Sequence, residues 1–263
     1  MKKTITAFLA LAIMLISIIP ASVFAAGEGY EVWVAGIEIT SENASAVTGE
    51  GISGTVSYDA ATKTLTLNNT TITKCHEFAV FDDHACIYSE HELTIELVGE
   101  NTLNATENGG SSYGIYLNEG NLTFKGNGSL LAEACALSDD YYWSVGIFAD
   151  DNIIIADECT IIAATGNVGA RADAAIYPYG DIVLEGEVKA EGNLTAADDS
   201  ALEEMDLENF YDYKYVKISP LNNPGNNPGT GVNGVGLTIA SFVALGALTL
   251  VGVSLKKRSE VNN

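Results

Sequence analysis

The sequence predicts an all-β protein, a right-handed parallel β-helix of about five coils of ~29 residues. Three observations carry this. The first is an internal repeat. "CIYSEHELTIELVGENTLNA" begins at Cys86, "GIYLNEGNLTFKGNGSLLAE" at Gly114, "GIFADDNIIIADECTIIAAT" at Gly146 and "AIYPYGDIVLEGEVKAEG" at Ala175. Each opens small–Ile–aromatic and enters a short alternating strand six or seven residues after its Ile. The second is spacing. With an earlier, less complete copy ("LTLNNTTIT"), strand starts fall at Leu65, Leu93, Leu122, Ile153 and Ile182, separated by 28, 29, 31 and 29 residues. The third is alternation of period two, with no good helical period inside the repeats. Strands this short bury their faces only when stacked coil on coil. A β-sandwich also has many short strands, but gives no reason for an in-register repeat.

The elements follow in order. "YEVWVAGIEIT" (30–40) and "GTVSYDAATKTLTL" (54–67) read as strands, with 59–63 as the turn of a hairpin that caps the front. In the coils, Ile87, Ile115, Ile147 and Ile176 form an inward ladder. Tyr88, Tyr116, Phe148 and Tyr177 point outward on the same strands, and the small residues Cys86, Gly114, Gly146 and Ala175 precede them. Behind the last coil, Ser200 to Glu203 match a capping box for a short helix with Leu202, Met205 and Phe210 on its apolar face. "YKYVKI" from Tyr213 reads as a final strand.

Both ends of the chain carry targeting patterns. Lys2 and Lys3, an apolar run over 7–20 and "ASVFA" make a secretory leader, residues 1–25, cut after Ala25. The solenoid domain is 26–219. Residues 220–234 are a Pro/Gly/Asn linker. Residues 235–255 are uncharged and long enough to cross a bilayer as a C-terminal transmembrane helix, and 256–263 form a basic cytoplasmic tail.

The 12 basic residues, less five in leader and tail, leave seven on the exported part; the 35 acidic residues, less Glu260, leave 34. A net charge of −27 repels nucleic acid and anionic lipid and attracts cations. Cys75, Cys86, Cys135 and Cys159 show no metal spacing and are too few for a disulfide framework. Buried thiols are one reading and one or two bridges the other, since export permits disulfides.

For an enzyme, the constellation is thin. Arg171 is the single arginine of the exported part and sits in a loop-like stretch. Asp82, Asp83 and His84 offer carboxylates beside a histidine, but opposed carboxylates from separate coils are missing. His76 and His91 have no evident partners in the sequence. For a binder, aromatics are plentiful: Tyr113 and Tyr116, then Tyr141, Tyr142 and Trp143 in "DDYYW", then Tyr177 and Tyr179. Sugars stack C–H faces on such rings and bond carboxylates and amides. Tyr141, Tyr142, Trp143, Tyr177 and Tyr179 are therefore the expected carbohydrate contacts. Asp150, Asp151 and Asp181 share one turn edge and are candidate calcium ligands, with plain turn chemistry as the alternative.

Two resemblances add to this. The tail resembles a Gram-positive sortase sorting signal of the LPxTG type, with "NPGTG" (Asn227, Pro228, Gly229, Thr230, Gly231) ahead of an apolar span and a basic tail. Asn stands where Leu is usual. The resemblance implies sortase cleavage between Thr230 and Gly231 and attachment of Thr230 to peptidoglycan. The body, on "VWVAGIEIT", "GTVSYDAATKTLTLNNTTIT" and the GIY…LTF…GSL pattern, is similar to exported clostridial β-helix proteins that carry a carbohydrate-binding domain related in fold to polysaccharide lyases. The "GHG" and "RIK" segments of hydrolases on that fold are absent from this sequence. The expectation is a non-catalytic, wall-anchored surface protein that binds plant or host polysaccharide, with calcium assisting if the glycan is acidic. The alternatives are an adhesin or scaffold with a protein ligand, and a lyase-like enzyme.

Overall fold

A computed structural model describes residues 27–78, 83–105, 110–134, 142–156, 158–165 and 172–221. The leader, the NPGTG motif, the apolar span, Tyr141, Asp82, Cys135 and Arg171 lie outside the described residues. Among the described residues, no helix is long and apolar enough to cross a membrane.

The chain opens with strands β1 (Gly29–Val34) and β2 (Ile37–Thr40), an antiparallel hairpin. A second hairpin joins β3 (Ile52–Asp59) to β4 (Thr64–Ile72) through the expected turn. A short strand, β5 (His76–Phe78), follows. The complete coils have three strands each. The first is β6 (Asp83–Ser89), β7 (Leu93–Val98) and β8 (Glu100–Ala105). The second is β9 (Ser112–Leu117), β10 (Leu122–Gly126) and β11 (Ser129–Ala134). The third is β12 (Trp143–Ala149), β13 (Ile153–Ile155) and β14 (Thr160–Thr165). The chain closes with β15 (Ala172–Pro178), β16 (Ile182–Leu184), β17 (Val188–Asn193), β18 (Glu203–Glu204) and β19 (Tyr215–Pro220).

The protein is thus an all-β, parallel β-solenoid of about three complete turns. One face stacks β6, β9, β12 and β15 in parallel, a second stacks β4, β7, β10, β13 and β16, and a third stacks β8, β11 and β14. The five strand starts read from the sequence correspond to the five strands of the second face. They exceed the complete coils because the outer two are partial. At the front, β4 serves two faces at once: Thr64 to Asn68 pair with β7, and Thr71 and Ile72 pair with β8. The chain turns that corner at Asn69, which takes a left-handed φ of 48°. At the back, β17 does not continue the third face. β19 inserts antiparallel between β14 and β17 instead.

The registers follow the repeat. Ile87, Ile115, Ile147 and Ile176 are mutual partners along the first face and are almost fully buried. Leu93, Leu122, Ile153 and Ile182 align on the second face. Leu65 departs: it pairs with Ile95, two residues beyond the expected Leu93. A two-residue shift keeps the same side chains inward, so the hydrophobic pattern alone does not detect it. Each inward Ile or Leu contributes about 1.5–3 kcal/mol by burial.

The small residues before the Ile ladder have a steric reason. A Cβ added to Gly114 would stand 2.5 Å from the Gly146 carbonyl oxygen, and one on Gly146 would stand 2.6 Å from that of Ala175. Backbones of successive coils approach too closely there for a side chain on those two residues.

The helix expected behind the last coil is absent. Glu203 and Glu204 pair with β17, and closure comes from β19 and a 3-10 turn, Phe210–Asp212. Local polar side chains explain this. The Ser200 amide donates to Asp198 Oδ1 at 3.0 Å and the Glu208 amide to Asp206 Oδ1 at 2.9 Å. Such Asx bonds compete with the helical pattern. Met205 and Phe210 are still buried in the core, as end caps. Lys214 ties the closing segment to the solenoid, donating to Asp173 Oδ1 at 2.7 Å.

Candidate functional site

The outer side of the first face carries a second apolar cluster, separate from the core. It contains Ala85, Tyr88, Tyr113, Val145 and Phe148, with Trp33, Phe78, Tyr116, Trp143 and Tyr177 packed against it. The strand register builds it. Tyr88, Tyr116, Phe148 and Tyr177 are consecutive partners, so their rings line up along the solenoid. At the front, Trp33 of β1 pairs opposite Tyr88, and β5 adds His76 and Phe78.

Ring geometry decides what this row can do. Trp33 and His76 stack at 4.8 Å and 16°. Phe78 and Tyr88 stack at 4.5 Å and 26°. Tyr116 and Phe148 stand at 4.6 Å and 16°, and Phe148 and Tyr177 at 6.2 Å and 16°. The pairs at 4.5–4.8 Å overlap as offset stacks, whereas Tyr88–Tyr116 at 5.8 Å and Phe148–Tyr177 at 6.2 Å are near-parallel but displaced sideways. Through the middle of the row, Tyr88, Tyr113 and Phe148 are buried among neighbouring rings and Tyr116 is half-buried.

The back end differs. Tyr179 stands edge-on to Phe148 and Tyr177 at 5.2 and 5.9 Å and is 63% exposed. Trp143 meets Tyr177 edge-on at 5.5 Å, and Tyr211 of the 3-10 turn lies tilted against Tyr177 at 6.4 Å. Here, among the described residues, no further strand stacks on β15 to cover the rings.

Carboxylates border the row. Tyr88 donates its hydroxyl to Glu90, which also accepts from Asn118 Nδ2 at 2.8 Å. Burial pushes the Tyr116 hydroxyl up to about 12, helped by nearby Tyr179, Asp83, Asp150 and Glu90. Burial, then Tyr177 and Asp150, raise Tyr179. Burial also raises Tyr113 and Tyr88 well above the ordinary tyrosine range. Every one of these hydroxyls is a neutral donor at physiological pH. His76 is held below the usual histidine value by burial, against the pull of Glu77 and Glu90.

The structure places the expected residues unevenly. Trp143 and Tyr177 are half-buried in the row, Tyr179 is exposed, and Tyr142 is half-buried just before β12. The histidines do have partners: His76 the Trp33 ring, and His91 the Glu31 carboxylate at 2.8 Å. Asp83 Oδ1 accepts from the Ser111 amide at 3.3 Å, and His84 lies in the β6–β9 ladder.

Asp151 is exposed, while Asp150 and Asp181 are half-buried. The Ile153–Ile182 register sets Asp151 beside Gly180 and Asn152 beside Asp181. The Gly180 amide donates to Asp151 O at 3.1 Å, and the Asp181 amide to Asn152 Oδ1 at 2.9 Å. Asn152 in turn donates to Asn121 Oδ1 at 2.9 Å, so this turn edge is an amide ladder. Among the described residues, no three His, Cys, Asp or Glu side chains are gathered as metal ligands, these three aspartates included.

Sequence reasoning missed Trp33, His76, Phe78 and Tyr211 as parts of the row. Trp33 had a signal, since it alternates with the inward Val32 and Val34. Tyr211 had none, because only the fold of the closing segment returns it to Tyr177. Searches against protein-family models, curated proteins and solved structures found no match for this chain.

Proposed function

We propose that this protein is a non-catalytic carbohydrate-binding protein of the cell surface. The contact site is the open end of the aromatic row: Tyr177, Tyr179 and Trp143, with Tyr142 just before β12 and Tyr211 added from the closing segment; Tyr141, also expected as a contact, lies outside the described residues. One observation carries the reading. Ring surface is open to solvent at this end, with Tyr179 63% exposed, and Asp150 lies close enough to Tyr116 and Tyr179 to raise both hydroxyls. A sugar ring stacks its C–H face on Tyr179, and its hydroxyls bond Asp150 and the tyrosine hydroxyls. For an acidic glycan, calcium bridges its carboxylates to the acidic protein, with Asp150, Asp151 and Asp181 nearest at hand.

The remaining parts of the reading concern delivery. The chain is a right-handed solenoid exported by the leader 1–25. The span 235–255 stalls it in the membrane, and sortase then cuts between Thr230 and Gly231 to join Thr230 to peptidoglycan. Five ~29-residue repeats make up the domain, the outer two contributing partial coils.

A glycan array probed with the purified chain, with and without calcium, tests the binding. The expected result is binding to one polysaccharide class that Tyr179→Ala weakens about tenfold by lost stacking. A second reading, an adhesin or scaffold with a protein ligand, is favoured by the burial of Tyr88, Tyr113 and Phe148 along the middle of the row. It takes over if no glycan binds at millimolar concentration with calcium present.

A further inference from the structure

We infer that Cys75 and Cys86 form a cross-strand disulfide that pins β5, and with it the front of the aromatic row, to the first coil. The register gives the pairing. In the antiparallel β5–β6 pair, His76 faces Ala85 and Glu77 faces His84. Continued one step past the end of β5, this register sets Cys75 against Cys86, where β1 takes over the edge of β6 and the Ala35 amide donates to the Cys86 carbonyl at 2.9 Å. Their sulfurs stand 3.6 Å apart. Directly opposed antiparallel residues have Cα separations of about 4.5–5.5 Å, inside the range of about 4.4–6.8 Å that a disulfide spans. A small rotation of the two side chains therefore closes the bond with the backbone in place.

The two thiols differ in access. Cys86 is fully buried in the core, and Cys75 is half-buried at its edge. The reaction accordingly begins at Cys75. Its thiolate attacks a sulfur of a small-molecule or oxidoreductase disulfide and expels one thiolate. The Cys86 thiolate then attacks the Cys75 sulfur of the mixed disulfide and expels the second. Two protein thiols lose two electrons and two protons, and the oxidant leaves as two thiols. Outside the cytoplasm such oxidants are at hand. The inference relies on the exported reading for that supply alone.

The bond has a structural consequence. β5 is three residues long, yet it contributes the ring that stacks on Trp33 and the ring that stacks on Tyr88. Backbone pairing of so short a strand is weak support. A covalent link at its first flank holds His76 and Phe78 in place.

The test uses the purified chain, incubated folded with oxidised glutathione, then alkylated in denaturant without reduction and digested at Glu and Asp. The expected product is a peptide carrying Cys75 joined to a peptide carrying Cys86. Adding reductant should lower Tm by about 5 °C or more, and Cys75→Ser should abolish that sensitivity. Alkylation of both thiols after the incubation, or a bridge from Cys86 to Cys135 or Cys159, overturns the inference. So does a reductant effect that survives Cys75→Ser. None of these readouts uses a glycan or the cell wall, so the outcome is independent of the proposed function.

Discussion

The two ends of the aromatic row are made of similar residues and do different things. At the front, β1 and β5 bring Trp33, His76 and Phe78 against Tyr88, where they are half-buried in stacked pairs. At the back, no strand among the described residues follows β15 on that face, and Tyr179 and Tyr211 remain 63% and 37% exposed. Tyr116 and Tyr177 occupy equivalent positions in their coils and both are half-buried, but Tyr116 lies between Tyr88 and Phe148 while the exposed Tyr179 and Tyr211 border Tyr177. In a stacked solenoid, position along the stack decides whether an outward aromatic is structural or available. Residue type does not.

The largest effect tests the frame that both ends share. Ile147→Asp places a charge in the fully buried ladder. Unpaired burial of a carboxylate costs several kcal/mol or more, so the variant should lose its strand circular dichroism and its cooperative melt. A folded variant with an unchanged Tm breaks the register.

Next comes the middle of the row. Phe148 is 3% exposed and stacked on both sides. Phe148→Ala should cost about 3 kcal/mol in denaturant melts. Tyr179→Ala at the open end should cost less than about 0.5 kcal/mol. Equal costs would erase the distinction between the ends.

Alkaline pH sharpens it from another side. Tyr88, Tyr113, Tyr116 and Tyr215 keep their protons in the folded state above the ordinary value of 10. The unfolded chain releases those protons first. Stability is therefore full below about pH 10 and falls as pH rises through the folded values. Tm measured from pH 8 to 11.5 should drop, and Tyr116→Phe, which keeps the ring and removes the titration, should lessen the drop. The smallest effect is at the front and has the opposite sense. The folded value of His76 lies below 6.5. Its contribution is intact above pH 6.5 and fades as pH falls through the folded value, so His76→Phe should reduce the acid sensitivity of Tm.

Much of the stack was legible in the sequence because the solenoid imposes identical surroundings on equivalent residues. A repeated small–Ile–aromatic opening can only mean a shared place in each coil, and the Ile87 to Ile176 ladder follows from it. Leu65 was misaligned because the front copy lacks that opening and β4 runs through a corner in one piece. The helix at Ser200 failed because Asp198 and Asp206 side chains satisfy the backbone locally. For the candidate site, the outward row was visible, but ring planes were not. Alternation says that Tyr116 and Phe148 point the same way. It does not say that they lie 16° from parallel and cover one another. Trp33 and Tyr211 meet the row only through contacts between segments distant in sequence, and His76 through the short β5–β6 pairing.

Nitration of tyrosines on the folded chain, followed by peptide mass mapping, tests the contrast most directly, since reaction needs an exposed and ionisable phenol. Tyr179 and Tyr211 should be modified rapidly, with Tyr88, Tyr113 and Tyr116 spared. Modification of Tyr116 as fast as Tyr179 in the folded protein would contradict that contrast.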